Sequence, residues 1–220
     1  ATDNHLPGAK PGASLRSRDS VTLDTRLDAD LTRRLLQEAP AAYRTQVNDL
    51  LLTALARVIT RWTGRRDVLI QLEGHGREEL FEHQDLTRTV GWFTSLFPVR
   101  LAPAEALSDS IKQVKEQLRA IPNRGVGFGA LRYLGEAGVQ QTLAALPVPR
   151  ITFNYLGQFD SSLEGAQTAL FVPSGEHAGL EQHPDAPLGN WLTLNGQVFD
   201  GELCLGWTFS QQMFEVAAIQ

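Results

Sequence analysis

Sulfur is scarce in this chain: its 220 residues include one cysteine and one methionine. With Cys204 alone no internal disulfide can form. Its place in an apolar alternation reads as a small buried hydrophobe rather than a zinc ligand, and a reducing cytoplasm is the natural compartment. A basic stripe is missing as well. Lysine and arginine number 20 against 25 acids, a net charge of -5, and their scatter argues against nucleic acid or an anionic membrane as partner. No apolar run approaches the roughly 18 residues that span a bilayer, and the polar start "ATDNHLPGAK" is not a signal peptide. The five histidines (His5, His75, His83, His177, His183) lack the spacing of two ligands on one helix face and form no HExxH pattern, so no metal is expected. No serine sits in a G-x-S-x-G elbow, the commonest hydrolase signal. No internal repeat is present.

What is present is the pattern of a globular α/β protein: a mixed sheet with packed helices. Residues 1–20, rich in Gly, Pro, Ser and charge, read as a linker or surface loop, with folding expected over 21–220. "VTLDTRL" alternates as a strand, after which Asp30 can cap a helix that Pro40 ends. The clearest helix repeats Val47, Leu50, Leu51, Ala54, Leu55, Val58, Ile59 and Trp62 and stops at Gly64. "DVLIQLEG" and "LFPVRLA" read as strands, with a helix capped by Ser108 to follow, bearing Ile111, Val114 and Leu118 and closed by Pro122. After a glycine-rich turn and a helical stretch near "VQQTLAAL" come strands at "RITFNYL", "TALFVP", "WLTLNGQVFD" and "GELCLGWTF". Asp200-Gly201 joins the last two as a hairpin. Both ends look cut: the chain opens without Met, and "SQQMFEVAAIQ" begins a helix at Ser210 that it does not terminate. A fragment of something longer is expected.

Two stretches invite chemical readings. "GVGFGA" at 125–130 formally fits a dinucleotide fingerprint, but that motif needs a preceding strand and an acid about 20 residues on, and neither is here. Gly125, Gly127 and Gly129 read instead as a turn or as a close backbone approach. "QLEGHGREEL" at 71–80 crowds three acids, a histidine and an arginine around Gly74 and Gly76. His75 and Arg77 read more readily as loop residues bonding locally than as catalysts. Glu73 closes an apolar strand, where partial desolvation would raise its pKa and suit it to carry protons near neutrality; a plain charged strand end remains the other reading.

Taken together, "EGHGRE" at 73–78, "DLTRTVGWFTSLFPVRL" at 85–101, "PNRGVGFGALRYL" at 122–134 and "FNYLGQFD" at 153–160 resemble, in order and spacing, the epimerization domains of nonribosomal peptide synthetases. "QEAPAAYRTQVNDLLLTALA" resembles the helix just upstream in the same family. Condensation domains share the fold but read closer to "IGxFVNT" where this chain has "VGWFTSLFPV", and are not expected to carry "EGHGRE".

The resemblance implies a chloramphenicol acetyltransferase-like fold, a V of two subdomains, of which 21–220 would be the second, C-terminal one. It implies inversion of the α-carbon of an aminoacyl or peptidyl thioester held on a carrier domain's phosphopantetheine arm, with no cofactor bound by this chain itself. Glu73 matches the family's acid or base and Tyr155 a tyrosine near the site. His75, Arg77, Asn154, Gly125, Gly127 and Gly129 fall in motifs that would line the substrate and pantetheine channel. The implied partners are the peptidyl carrier domain, the N-terminal subdomain and adjacent synthetase domains. The family's other catalytic group, the histidine of an HHxxxDG motif, belongs to the N-terminal subdomain and has no counterpart here, so the chain alone is expected to be inactive. The alternatives are a condensation domain forming peptide bonds and a catalytically silent scaffold that docks a carrier.

Overall fold

The computed structural model describes residues 5–78, 80–82, 85–158, 179–180 and 182–220. In chain order these form β1 (Ser20–Leu27), α1 (Ala29–Arg33), α2 (Ala39–Tyr43), α3 (Val47–Thr63), β2 (Val68–Gly74), β3 (Ser95–Leu101), α4 (Leu107–Arg119), α5 (Gly127–Leu134), α6 (Ala137–Ala144), β4 (Ile151–Gln158), β5 (Leu192–Phe199), β6 (Glu202–Ser210) and α7 (Val216–Ile219). The expected strand "TALFVP" lies outside the described residues. Two compact units result, Ala1–Pro7 with Pro40–Phe153 and Gly8–Ala39 with Asn154–Gln220.

In the first unit, β2 runs antiparallel to β3, from Val68 opposite Leu101 to Gly74 opposite Ser95, and parallel to β4 through Ile70–Ile151 and Leu72–Phe153. This is the expected mixed sheet. Val68, Ile70 and Leu72 alternate into the core, where they meet Phe97, Val99 and Leu101 of β3. Pro98, opposite Gln71, has no N–H to give, and β3 tolerates it because it ends the sheet.

Helix α3 covers this unit's core. A capping box starts it, with Asp49 accepting from the Gln46 backbone N–H at 2.8 Å, and Gly64 at φ 67° closes it. Its buried stripe is Leu52, Leu55, Ala56 and Ile59, with Leu50 and Leu51 at its border; Ala54 and Val58, expected inside, are exposed. At ~100° per residue they lie well around the helix from that stripe. Arg57 ties α3 to the start of α4, donating to the Ala104 and Glu105 carbonyls, each at 2.9 Å, and to Ser110 Oγ at 2.6 Å. Ser108 does not cap α4, whose N-cap is Ala106 with no side-chain bond. Nor does Asp30 cap α1: Asp28 does, accepting from Leu31 N–H at 2.8 Å. Pro40 does not end the segment either. The helical backbone instead runs on through one π turn over Arg34–Glu38 into α2, and Pro40 follows directly on that wider turn, where the regular bonding ladder is already interrupted.

In the second unit β6 is the middle strand of an antiparallel set, pairing β1 (Ser20–Ser210 through Leu27–Leu203) on one side and β5 (Leu192–Phe209 through Phe199–Glu202) on the other. Asp200 and Gly201, at φ 52° and 73°, make the expected hairpin turn. Leu192, Leu194, Val198, Leu203 and Phe209 are buried, and Phe214 meets the Phe209 ring edge-on at 6.3 Å. Cys204 is half-buried rather than core, since the alternation gives the inner face to Leu203. The end of the chain is not one helix from Ser210: Ser210 closes β6, Met213 and Phe214 are buried in a turn, and α7 starts after Glu215. Among its described residues the N-terminal stretch carries a 3-10 turn at Ser17–Asp19 and a single bridge from Arg16 to Pro187; Leu6 and Ala9 are buried, Lys10 N–H donates to Met213 O at 3.0 Å and Ser210 Oγ to Ser14 O at 2.6 Å. No helix among the described residues is long and apolar enough to cross a membrane.

Burial decides which substitutions on α3 matter. Leu52→Ala should lower unfolding free energy in urea by about 2 to 5 kcal/mol, while Val58→Ala should change it by less than about 0.5 kcal/mol. Equal losses at both positions would contradict the packing of this helix.

Candidate active site

Strand geometry places the first candidate. Side chains alternate along β2, so Glu73 points away from Leu72 and shares a face with Gln71; across the ladder the same face carries Leu96, opposite Glu73, and Pro98, opposite Gln71. Over that face lies a groove of about 660 Å³, lined by Gln71, Leu96 and Pro98 below and by Phe128, Arg132 and Tyr133 of α5. Gly76 and Phe93 line it too, next to the end of β2 that bears Glu73. The groove is mostly apolar, with few polar groups to orient a ligand. Glu73 itself is exposed, and among the described residues no side chain pairs with its carboxylate. This chain therefore does not supply the desolvation that a strand exit suggested.

The loop after Glu73 is held tightly. Gly76, at φ 66°, lies so close to the Phe93 carbonyl that a Cβ would stand 1.6 Å from its oxygen. Arg77 stacks its guanidinium over the Phe93 ring at 4.3 Å and donates to the carbonyls of Leu86 at 2.5 Å and Gly91 at 3.4 Å. Arg77 N–H donates to His75 Nδ1 at 3.0 Å, which leaves Nε2 to carry the ring proton of the neutral histidine, and that nitrogen faces Glu78 Oε1 at 3.1 Å. The other Glu78 oxygen meets Arg124 Nη1 at 3.2 Å. Both His75 and Arg77 are thus loop residues bonding locally, and Arg77 anchors the motif to 86–93.

Arg124 belongs to the turn at Pro122–Gly125, where Asn123 and Arg124 both adopt left-handed backbone, at φ 46° and 50°. Gly125 follows at φ 83°, its α-carbon pressed to the Phe97 ring so that a Cβ would come within 2.2 Å. The close approach expected of the glycines is real at Gly125. Gly127 and Gly129 are not turn residues: they sit in α5, with nothing within 4 Å of a Cβ at either, and Gly129 lines the groove.

Glu73, His75, Arg77 and Gly125 are therefore brought together in the first unit. Asn154 and Tyr155 fall on β4 in the second, both half-buried. Tyr155 packs by the α-carbon of Gly196, and burial pushes its phenol above the ordinary value, keeping a neutral hydroxyl at neutral pH. Glu78 and Arg124 carry no signal of their own in the sequence, although each lies inside a quoted motif. Their opposite charges are 46 positions apart, and only the fold joins them. Among the described residues no cluster of His, Cys, Asp or Glu could hold a metal ion.

The family model for the condensation domain matches residues 2–220. Gramicidin S synthase 1 of Brevibacillus brevis is 39% identical over 204 residues, 88% of this chain but 18% of that protein. Bacitracin synthase 3 of Bacillus licheniformis is likewise 39% identical, over 207 residues that make up 91% of this chain and 3% of that protein. Among solved structures, the epimerization domain from the third module of tyrocidine synthetase B superposes with a TM-score of 0.87 at 38% identity, covering 100% of this chain and 49% of that one. The first condensation domain of the CDA synthetase matches with a TM-score of 0.58 at 19% identity, over 94% of this chain and 42% of that one, and shares the fold. The chain spans about half of either solved domain and a small part of each synthase.

The glycines separate by what surrounds them. Gly125→Ala must displace the Phe97 ring from a left-handed backbone, and should lower Tm by several degrees, about 1 to 3 kcal/mol. Gly129→Ala, in open space within a helix, should be neutral or stabilise by up to about 1 kcal/mol. Thermal unfolding of the two variants checks the contrast.

Proposed function

The chain belongs to the condensation-domain family, whose fold is chloramphenicol acetyltransferase-like, and from that premise we propose that it is the C-terminal half of an epimerization domain of a nonribosomal peptide synthetase. Its reaction would be inversion of the α-carbon of an aminoacyl or peptidyl thioester presented on the phosphopantetheine arm of a carrier domain. The observation that carries this reading is Glu73: an exposed carboxylate with no side-chain partner among the described residues, at the end of a fixed strand whose Gln71 lines an apolar groove. The greater likeness to the solved epimerization domain than to the solved condensation domain supports inversion over peptide-bond formation.

The chemistry asks for a base beside the α-carbon. Glu73 would take the proton, the thioester carbonyl oxygen would carry the resulting enolate charge, and a proton returned to the opposite face would complete inversion. General acid-base catalysis of this kind contributes typically about 10²–10⁴ in rate. One carboxylate on one wall serves one face. The second proton carrier would come from an N-terminal half. The carrier domain, the N-terminal half and neighbouring synthetase domains are the proposed partners.

In a domain joining this chain to an N-terminal half, Glu73→Gln should leave folding intact and slow exchange of the substrate's α-proton with deuterated solvent by about 100-fold or more. Exchange near the wild-type rate would remove Glu73 from the mechanism. This chain supplied alone with a loaded carrier should leave the amino acid in the L form, as chiral analysis of the released residue would read.

A further inference from the structure

The two carboxylates of the "EGHGRE" motif live in opposite surroundings. Glu73 is exposed and without a side-chain partner among the described residues; Glu78, five residues on, has a side chain only 15% exposed and both oxygens engaged. We propose that Glu78 is a positioning residue: its carboxylate clasps the loop at 74–78 to the turn at Pro122–Gly125, and so sets the exit of the strand that presents Glu73. This rests on the functional reading above for its consequence, though not for its geometry.

Three features converge on that carboxylate. The loop leaves β2 through Gly74 and Gly76, residues that restrict the backbone least, and Arg77 ties it to 86–93 but not to the turn at Pro122–Gly125. One oxygen, Oε1, holds His75, whose other ring nitrogen is fixed by Arg77 N–H, so the chain from Arg77 through His75 to Glu78 has one proton arrangement. The other oxygen, Oε2, holds Arg124, and with it a turn whose left-handed Asn123 and Arg124 persist only if their surroundings determine them. That turn is close by: a Cβ on Gly74 would lie 3.8 Å from the Arg124 carbonyl oxygen and 2.9 Å from Ser95 Oγ. Glu78 is thus where two separate sequence motifs become one wall beside the groove. The contact is no great source of stability, since Arg124 and His75 are largely exposed and pairs of that kind contribute little. Its role is placement, and small misplacements of a reacting group cost up to about 10²-fold in rate.

The test uses the complete domain and three variants, Glu78→Gln, Arg124→Gln and the double variant. Glu78→Gln keeps an acceptor for His75 but loses the charge that holds Arg124. Each single variant should lower kcat for α-proton exchange about tenfold or more, with KM within about twofold. Because both break one contact, the double variant should be no slower than the slower single one. Amide hydrogen exchange at 74–77 and 123–125 should rise in all three, with α3 and β2 unchanged. Wild-type kcat in both single variants, additive losses, or unchanged amide protection would each overturn the proposal. If the unsubstituted domain exchanges no α-proton, the functional reading fails while the amide arm still decides the clasp. If Glu78→Gln does not fold, Arg124→Gln, on the exposed side of the contact, carries the same comparison.

Discussion

Double pairing of β2 is the constraint from which the first unit takes its order. Seven registered pairs hold it to β3, and a parallel ladder holds it to β4. A strand fixed on both sides cannot slip, and a slip of one residue would turn Ile70 and Leu72 outward and drive Glu73 into the core. The register therefore does two things at once. It buries the apolar half of the strand under α3, and it delivers a charged group to the opposite face without any dedicated machinery for doing so.

Much of this was legible because periodicity is a local signal. The strands at Val68, Ser95, Ile151, Leu192 and Glu202, the helix at Val47 and the turn at Asp200-Gly201 all follow from alternation, 3.6-residue spacing and turn chemistry. Where local signals compete, they mislead. Helix α5 was hidden by Gly127 and Gly129, which look like a turn until packing is known. Ser108 and Asp30 are good caps one or two positions from where the chain enters its helices, and Ser210 looks like a cap but ends a strand because Met213 and Phe214 are needed in the core. Val58 fits the spacing of its helix yet lies on the wrong side of it.

The candidate site divides the same way. Glu73 at a strand exit could be inferred from the order of residues, and its chemical meaning came from resemblance to a family rather than from any rule of spacing. The contact between Glu78 and Arg124 could not be inferred at all, since nothing in a linear text relates position 78 to position 124. The turn of Pro122–Gly125 reaches the loop only because Gly125 lets the backbone lie against the Phe97 ring. A missing side chain on one element thus brings the charge of another within reach.

Pro98 has an effect beyond the strand it occupies. It sits mid-way along β3, the last strand of its sheet, whose outer edge has no neighbour among the described residues. An open edge is a template on which a foreign extended segment can dock and start an intermolecular ladder. At Pro98 that template has a gap, since a position without an N–H cannot donate to an incoming strand. A strand docking along that edge would meet one position that cannot donate, so the ladder it could build is interrupted at a single imino acid.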